Sequence, residues 1–186
     1  LLQASSELSE IPLYLDDQPG SMMSQIGAIS RRLKRRIDIG LIVIDYLQLI
    51  EPDNTRDPRQ EQVARIARRL KGLARELDVP VLCLAQLNRQ AEDSRDHRPR
   101  LSHLRESGAI EQDADLIGFI YRDVVYNKET EFENMAELII AKQRNGPTDT
   151  VRLEFEGRFA QFRDWPVSDD PYGSAPGGGG FSAPTS

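Results

Sequence analysis

The sequence predicts a three-layer α/β domain whose sheet is partly parallel and closes with antiparallel hairpins at its C-terminal end. Two patterns carry that class. Apolar, β-branched runs such as Leu41-Ile-Val-Ile-Asp45 alternate with helical stripes, as buried parallel strands joined by crossover helices do. Beyond Tyr121 the period changes: Val151, Leu153 and Phe155 alternate with Arg152, Glu154 and Glu156, the mark of strands with one wet face. The size agrees, since 186 residues with 39% hydrophobic and 29% charged side chains suit one globular domain with a tail.

Taken in order, Ile11-Pro-Leu-Tyr-Leu15 reads as a short strand closed by the turn Asp16-Asp-Gln-Pro-Gly20. Ser21 is a natural N-cap for a helix whose face carries Met22, Ile26, Ile29, Leu33 and Ile37. Leu41–Asp45 reads as a strand buried on both faces, and Glu51–Pro58 as a polar loop. A long helix follows with Val63, Ile66, Leu70, Leu73 and Leu77 on its apolar side, stopped before Pro80. Val81–Ala85 is a second buried strand and Leu116–Tyr121 a third. Ala136–Ala141, the alternating run from Val151 and the segment Phe159–Phe162 after Glu156-Gly157 then form hairpins. The folded domain is expected to span 1–165. Pro166–Ser186 holds four Pro, five Gly and four Ser and is expected to be a flexible tail.

Composition narrows the function classes. There are 24 Lys plus Arg against 30 Asp plus Glu, a net charge of −6, which argues weakly against an anionic partner. Local charge argues the other way: Arg31-Arg-Leu-Lys-Arg-Arg36 is a dense basic run, and Arg89–Arg105 carries five arginines with His97 and His103. A solvated helix face explains the first run; the second falls in a loop and suits phosphate contact. The single cysteine, Cys83, sits in an apolar run and excludes an internal disulfide framework, which suits a reducing compartment. No apolar run approaches the roughly 18 residues of a membrane span. The chain begins at Leu1 with no basic-then-apolar leader, and is expected to be a piece of something longer.

Ligands of such sheets bind beyond the carboxyl ends of the strands. Asp45 ends the first buried run, where a carboxylate can hold Mg²⁺ beside nucleotide phosphates; many parallel strands also end in a merely capping Asp. Gln86 follows the next run, where a neutral amide can touch a phosphate or simply satisfy a turn. Lys142 and Arg144 follow Ala136–Ala141, and cations on a rigid strand end suit a finger reaching a phosphate, although a polar hairpin tip is the commoner use.

Together these segments point further. Leu41-Ile-Val-Ile-Asp-Tyr-Leu-Gln-Leu-Ile50 closely resembles the Walker B segment of DnaB-type replicative DNA helicases, and Ala85-Gln-Leu-Asn-Arg89 resembles that family's Gln-bearing motif. Leu104-Arg-Glu-Ser-Gly-Ala-Ile-Glu-Gln-Asp-Ala-Asp115, followed by Tyr121-Arg122, looks like the family's DNA-contacting signature, and Lys142-Gln-Arg-Asn-Gly-Pro-Thr148 is similar to its finger segment. The resemblance runs in order from about Leu1 to Trp165. It implies a RecA-like P-loop NTPase motor, with its first strand and phosphate loop missing from this chain. Such a motor forms a homo-hexameric ring on single-stranded DNA with ATP between neighbours, works with a primase and a helicase loader, and unwinds duplex DNA in the cytoplasm at the replication fork. By the same resemblance Asp45 helps hold Mg²⁺, Gln86 senses the γ-phosphate, and Lys142 and Arg144 reach in trans into a neighbour's site. Arg105, Glu106 and Gly108 contact the DNA backbone, which suits a motor that needs grip without base preference.

The chain departs from the family in five respects. No Gly-x-x-x-x-Gly-Lys-Ser/Thr occurs, and no glycine is followed by lysine. The family's catalytic glutamate and its N-terminal collar are not found either, so the isolated chain is expected to be inactive. His103 stands where the family has Asp, putting the charge beside the DNA loop in doubt, and Asp149 stands where it has Gly, in a hairpin that glycine suits better. Two other readings compete: a recombination or repair ATPase with the same sheet, against which Arg105–Asp115 argues, and a nucleotide-free module that binds DNA or a partner.

Overall fold

The computed structural model describes residues 10–88, 94 and 96–166. The chain divides into two compact units, Leu1–Gln86 and Leu87–Ser186. The Gly/Pro/Ser tail expected at 166–186 lies, from Val167 onward, outside the described residues.

In the first unit, α1 (Met23–Ile37), β1 (Ile42–Ile44), a 3-10 turn (Leu47–Leu49), α2 (Arg59–Leu77) and β2 (Val81–Cys83) follow in order. β1 and β2 are parallel in the register Ile42↔Val81, Val43↔Leu82 and Ile44↔Cys83, so α2 is the crossover between them. The α2 stripe forms as its spacing predicts. Val63, Ile66, Leu70 and Leu73 are buried, and the helix lies on α1, on β2 and on the 3-10 turn. It ends at Asp78, whose left-handed backbone (φ 52°) closes the last turn through an N–H bond to the Ala74 carbonyl.

α1 departs from expectation at its start. Ser21 is not the cap: its hydroxyl donates to the Gln18 carbonyl at 3.4 Å, while Gln25 Oε1 accepts the Met22 N–H at 2.8 Å. The residues buried are Met23, Gly27 and Ser30, one position round from the predicted stripe. A two-pronged ion pair, Arg31 Nε to Glu76 Oε1 at 2.6 Å and Nη2 to Oε2 at 2.8 Å, ties α1 to α2. Gly20 takes φ +70° beside the Glu51 carboxylate, a place only glycine fills without strain.

Two expectations fail here. Ile11–Leu15 is irregular rather than a strand, and Leu15 is 86% exposed. Its apolar sequence has strand propensity, but a strand needs a partner for its backbone groups, and none is present among the described residues. Nor is β1 buried on both faces: Val43 is 56% exposed, and among the described residues nothing covers the side it shares with Leu82.

The second unit carries a 3-10 segment (Leu101–Ser107), α3 (Gly108–Asp113), β3 (Leu116–Tyr121), β4 (Met135–Gln143), β5 (Asp149–Glu156) and β6 (Gln161–Asp164). The strands form one antiparallel sheet in the order β3-β4-β5-β6. β3 is therefore not a third strand buried on both sides. It alternates, with Ile117, Phe119 and Tyr121 buried and Leu116 and Ile120 exposed, because its neighbour is a hairpin partner and one face stays uncovered. Leu104 packs with Ile117 and Phe119, and Leu101, Ile110, Ala114, Ile139 and Ala141 close round them, so residues 101–114 are pinned to the β3–β4 face. The predicted last hairpin forms, with Phe155 and Phe162 in contact at 4.9 Å between ring centres.

Candidate functional site

At the carboxyl end of the parallel pair, the ladder continues beyond the strands. Leu84 N–H donates to the Ile44 carbonyl at 3.0 Å, and Leu47 N–H to the Leu84 carbonyl at 2.9 Å. Gln48 then takes over with its side chain. Its Nε2 donates to the Gln86 carbonyl at 3.1 Å, and its Oε1 accepts the Gln86 N–H at 3.2 Å. The Gln48 carbonyl in turn accepts from Arg59 Nη2 at 3.3 Å. Asp45, the first residue after β1, and Gln86, three residues after β2, are both exposed, so a carboxylate and an amide stand at neighbouring strand ends. This is the placement expected for both.

The donor set bears on a metal. Among the described residues no three His, Cys, Asp or Glu side chains gather, so no all-protein cage exists there. A single exposed carboxylate fits Mg²⁺, which keeps most of its water shell and takes one or two protein ligands beside phosphates. Cys83, in the same strand end, is half-buried, and burial pushes its thiol up to about 11. It is inert packing, as its apolar run suggests.

In the second unit the structure sets the finger segment against residues 111–115, the end of the signature that begins at Leu104. Leu116 pairs with Gln143, and just beyond that pair the Arg144 N–H donates to the Asp115 carbonyl at 2.8 Å. Arg144 Nη1 lies 3.5 Å from Asp115 Oδ1 with both side chains about half exposed, a loose pair that water screens. Lys142 is seated differently. Its ammonium donates to the carbonyls of Glu111, Gln112 (3.4 Å) and Ala114 (2.8 Å), the open C-terminal end of α3. The register shifts by one residue between Ile117 and Gly118, opposite Lys142 and Ile140, so a bulge falls at Ala141. Ile139 and Ala141 face the helix, and strict alternation would turn Lys142 away; bulges re-aim side chains in this way. The expected outward-pointing cation is therefore, in this chain, a clasp on the helix that begins at Gly108.

Gly108 opens α3 with φ −49°, and the space where a Cβ would stand is empty to 4 Å. Glycine there is not demanded by conformation; it leaves the backbone bare. Arg105 and Glu106 lie on the preceding 3-10 segment, and their side chains lie outside the described part of the structure, as do Arg89 and Arg95 of the basic stretch.

Both local departures find a physical answer. His103 is 8% exposed, and its Nδ1 accepts the Arg100 N–H at 3.1 Å at the start of the 3-10 segment. An acceptor is what a carboxylate would provide at that place. Asp149 is the first residue of β5, pairs with Ile140, and is not among the residues with positive φ, so no glycine is needed. Around β3, Tyr121 donates to Asp123 Oδ1 at 2.8 Å, and burial, then that bond, push its phenol up to about 12.

Sequence reasoning missed Gln48 and the Lys142 seat. The first had a visible signal, a lone amide inside the apolar run Leu47-Gln-Leu-Ile50. The second had none.

Comparison with known proteins bears on all of this. Residues 1–164 match the family model described as DnaB-like helicase C terminal domain. The chain is 49% identical over 178 residues to the replicative DNA helicase DnaC of Bacillus subtilis (strain 168), covering 95% of this chain and 39% of that protein. It is 51% identical over 163 residues to the replicative DNA helicase DnaB of Geobacillus stearothermophilus, covering 87% of this chain and 36% of the relative. The chain thus spans less than two-fifths of these relatives. Among solved structures, the ATPase domain of G40P superposes with a TM-score of 0.86 at 45% identity, over 89% of this chain and 59% of that one. A DnaB-like replicative helicase, studied with its interactions with primase, gives the same TM-score and identity over 89% of this chain and 40% of its own. The RecA-like α/β fold class expected from the sequence is the class of these neighbours.

Proposed function

The chain belongs to the DnaB-like helicase C-terminal domain family, and from that premise we propose that it serves an ATP-driven replicative DNA helicase, a hexameric ring that moves on single-stranded DNA and unwinds the duplex ahead. The observation that carries the reading is the pair of strand ends, Asp45 and Gln86, set side by side beyond β1 and β2 and presented outward. Asp45 holds one side of a hydrated Mg²⁺, which when bound neutralises phosphate oxygens. Gln86 faces the terminal phosphate of ATP. The cradle for the other phosphates is not encoded between Leu1 and Ser186, which contain no glycine followed by lysine; the full-length helicase supplies it.

The second unit grips DNA and serves the neighbouring subunit. Arg105 and the bare backbone at Gly108 meet phosphates without reading bases, and Glu106 lies in the same loop. Arg144 acts in trans as a finger, and its loose pair with Asp115 supports this, because a screened contact is easily exchanged for a phosphate. Primase and a loader dock on the ring, which works in the cytoplasm at the replication fork.

In the full-length helicase, Arg144→Ala should cut DNA-stimulated ATP hydrolysis by about 10³–10⁵ while leaving nucleotide binding by the same subunit intact. Mixed rings test the geometry: Arg144→Ala subunits combined with subunits lacking their own phosphate-loop lysine should recover activity where an intact finger meets an intact pocket. Activity no greater than independent cis defects allow would overturn the assignment.

A further inference from the structure

We propose that Gln48 is the positioning residue for Gln86, an amide clamp that carries the β1–β2 ladder past the strand ends and fixes the backbone from which the phosphate-facing side chain projects. The proposal rests on the role given to Gln86 above.

The strands stop pairing at Ile44 and Cys83, and the last main-chain bond across them is from Leu47 N–H to the Leu84 carbonyl. Gln86 lies two residues further on, in a segment with no regular structure, and a loop there would place its side chain loosely. Gln48 removes that freedom. One edge of its side-chain amide presents an N–H donor and a carbonyl acceptor in one plane, with the second N–H pointing away. It spends both on Gln86, Nε2 to the carbonyl at 3.1 Å and Oε1 from the N–H at 3.2 Å.

Both bonds fall on the main chain, so the amide of Gln86 itself is left for a ligand. Gln48 is also fixed from behind, by Arg59 Nη2 on its carbonyl, and by the 3-10 turn Leu47–Leu49 with Leu47 buried. It lies only three residues after Asp45. One short turn therefore sets the carboxylate and, through the clamp, the amide, so that any movement of either strand end reaches both. No aliphatic or shorter side chain at position 48 can make both bonds. Chemistry that depends on placement is sensitive to such losses: a displacement of about 1 Å costs on the order of 10²-fold in rate.

The test uses the full-length helicase with saturating single-stranded DNA. Gln48→Met keeps the length and apolar packing and loses both bonds; Gln48→Glu keeps the acceptor for Gln86 N–H and loses the donor. With Gln48→Met, kcat for ATP should fall by about 10- to 100-fold with KM changed by less than about threefold, and Gln48→Glu should fall between it and wild type. The decisive readout is the double variant. Gln48→Met/Gln86→Ala should be no slower than Gln86→Ala alone, because a clamp has nothing to place once the amide is gone.

Losses that multiply would mean that Gln48 supports the fold or binds substrate itself, and would overturn the proposal, as would wild-type kcat in Gln48→Met. If Gln48→Met does not fold, the same cycle run with Gln48→Glu decides. Wild-type kcat in Gln86→Ala would instead refute the phosphate-sensing reading, and this proposal with it.

Discussion

Replacing Lys142 by Met tests the clasp that its ammonium makes on α3. In the structure it sits on the carbonyls of Glu111, Gln112 and Ala114, closing the C-terminal end of the six-residue α3. A helix this short is marginal by itself, and its stability comes from Ile110 and Ala114 packed on the sheet and from this clasp. A bond to a charged donor contributes about 1.5–3 kcal/mol in a protected setting, and a cation at a helix C-terminus about 0.3–1 kcal/mol. Lys142 is half-buried and α3 is exposed at Glu111 and Gln112, so water replaces part of what is lost. Methionine keeps the stem's packing. The net cost should be about 1–2 kcal/mol, raising the open fraction of the segment about 5- to 30-fold. Hydrogen exchange in the nucleotide-free protein reads this directly: amides from Ile110 to Ala114, including the Ala114 N–H bonded to the Ile110 carbonyl at 3.0 Å, should lose that much protection. Amides of α2 should not change. Protection of α3 within about twofold of wild type would refute the clasp.

Two further outcomes follow from single positions. Gly108→Ala places a methyl group in empty space on helical backbone, so the protein should gain about 0.5–1 kcal/mol in stability while affinity for single-stranded DNA falls, measured by melting and by anisotropy on one sample; unchanged affinity would show that no phosphate approaches that backbone. Cys83, pushed up to about 11 by burial, is a protonated thiol at neutral pH. At pH 8 its alkylation should be about ten- to twentyfold slower than that of an ordinary thiol once its higher intrinsic nucleophilicity is counted. The rate should still climb about tenfold per pH unit above 8.5; levelling near pH 9 would contradict the shift.

What was legible in the sequence is what local periodicity encodes. The α2 stripe, its stop before Pro80, the parallel runs ending at Asp45 and before Gln86, and the hairpins after Tyr121 depend on residues a few positions apart. What was not legible depends on partners distant in sequence. Ile11–Leu15 has the composition of a strand, but composition cannot supply the neighbouring edge that makes one. Ser21 is the better cap by preference, yet the N-cap position falls on Met22, whose own N–H Gln25 reaches back to accept. Lys142 would point away from α3 were it not for one extra residue in β4, and nothing in Ala141 or Lys142 announces a bulge.

The two family departures make the same point from the other side. Judged by residue type, His103 for Asp removes a charge beside the DNA loop, and Asp149 for Gly crowds a turn. Judged by what the fold requires at each position, both keep the structural role. Position 103 needs an acceptor for the Arg100 N–H, and the imidazole Nδ1 at 3.1 Å is one. Position 149 needs an extended backbone paired with Ile140, which any residue adopts. A family pattern records residues, while the fold constrains hydrogen-bond roles and dihedral angles. A substitution that keeps the role is therefore quiet, however unlike the side chains look. By that criterion the substitution to watch is a conservative one, Gln48→Glu, which changes a single atom and removes the only donor that holds the Gln86 carbonyl among the described residues.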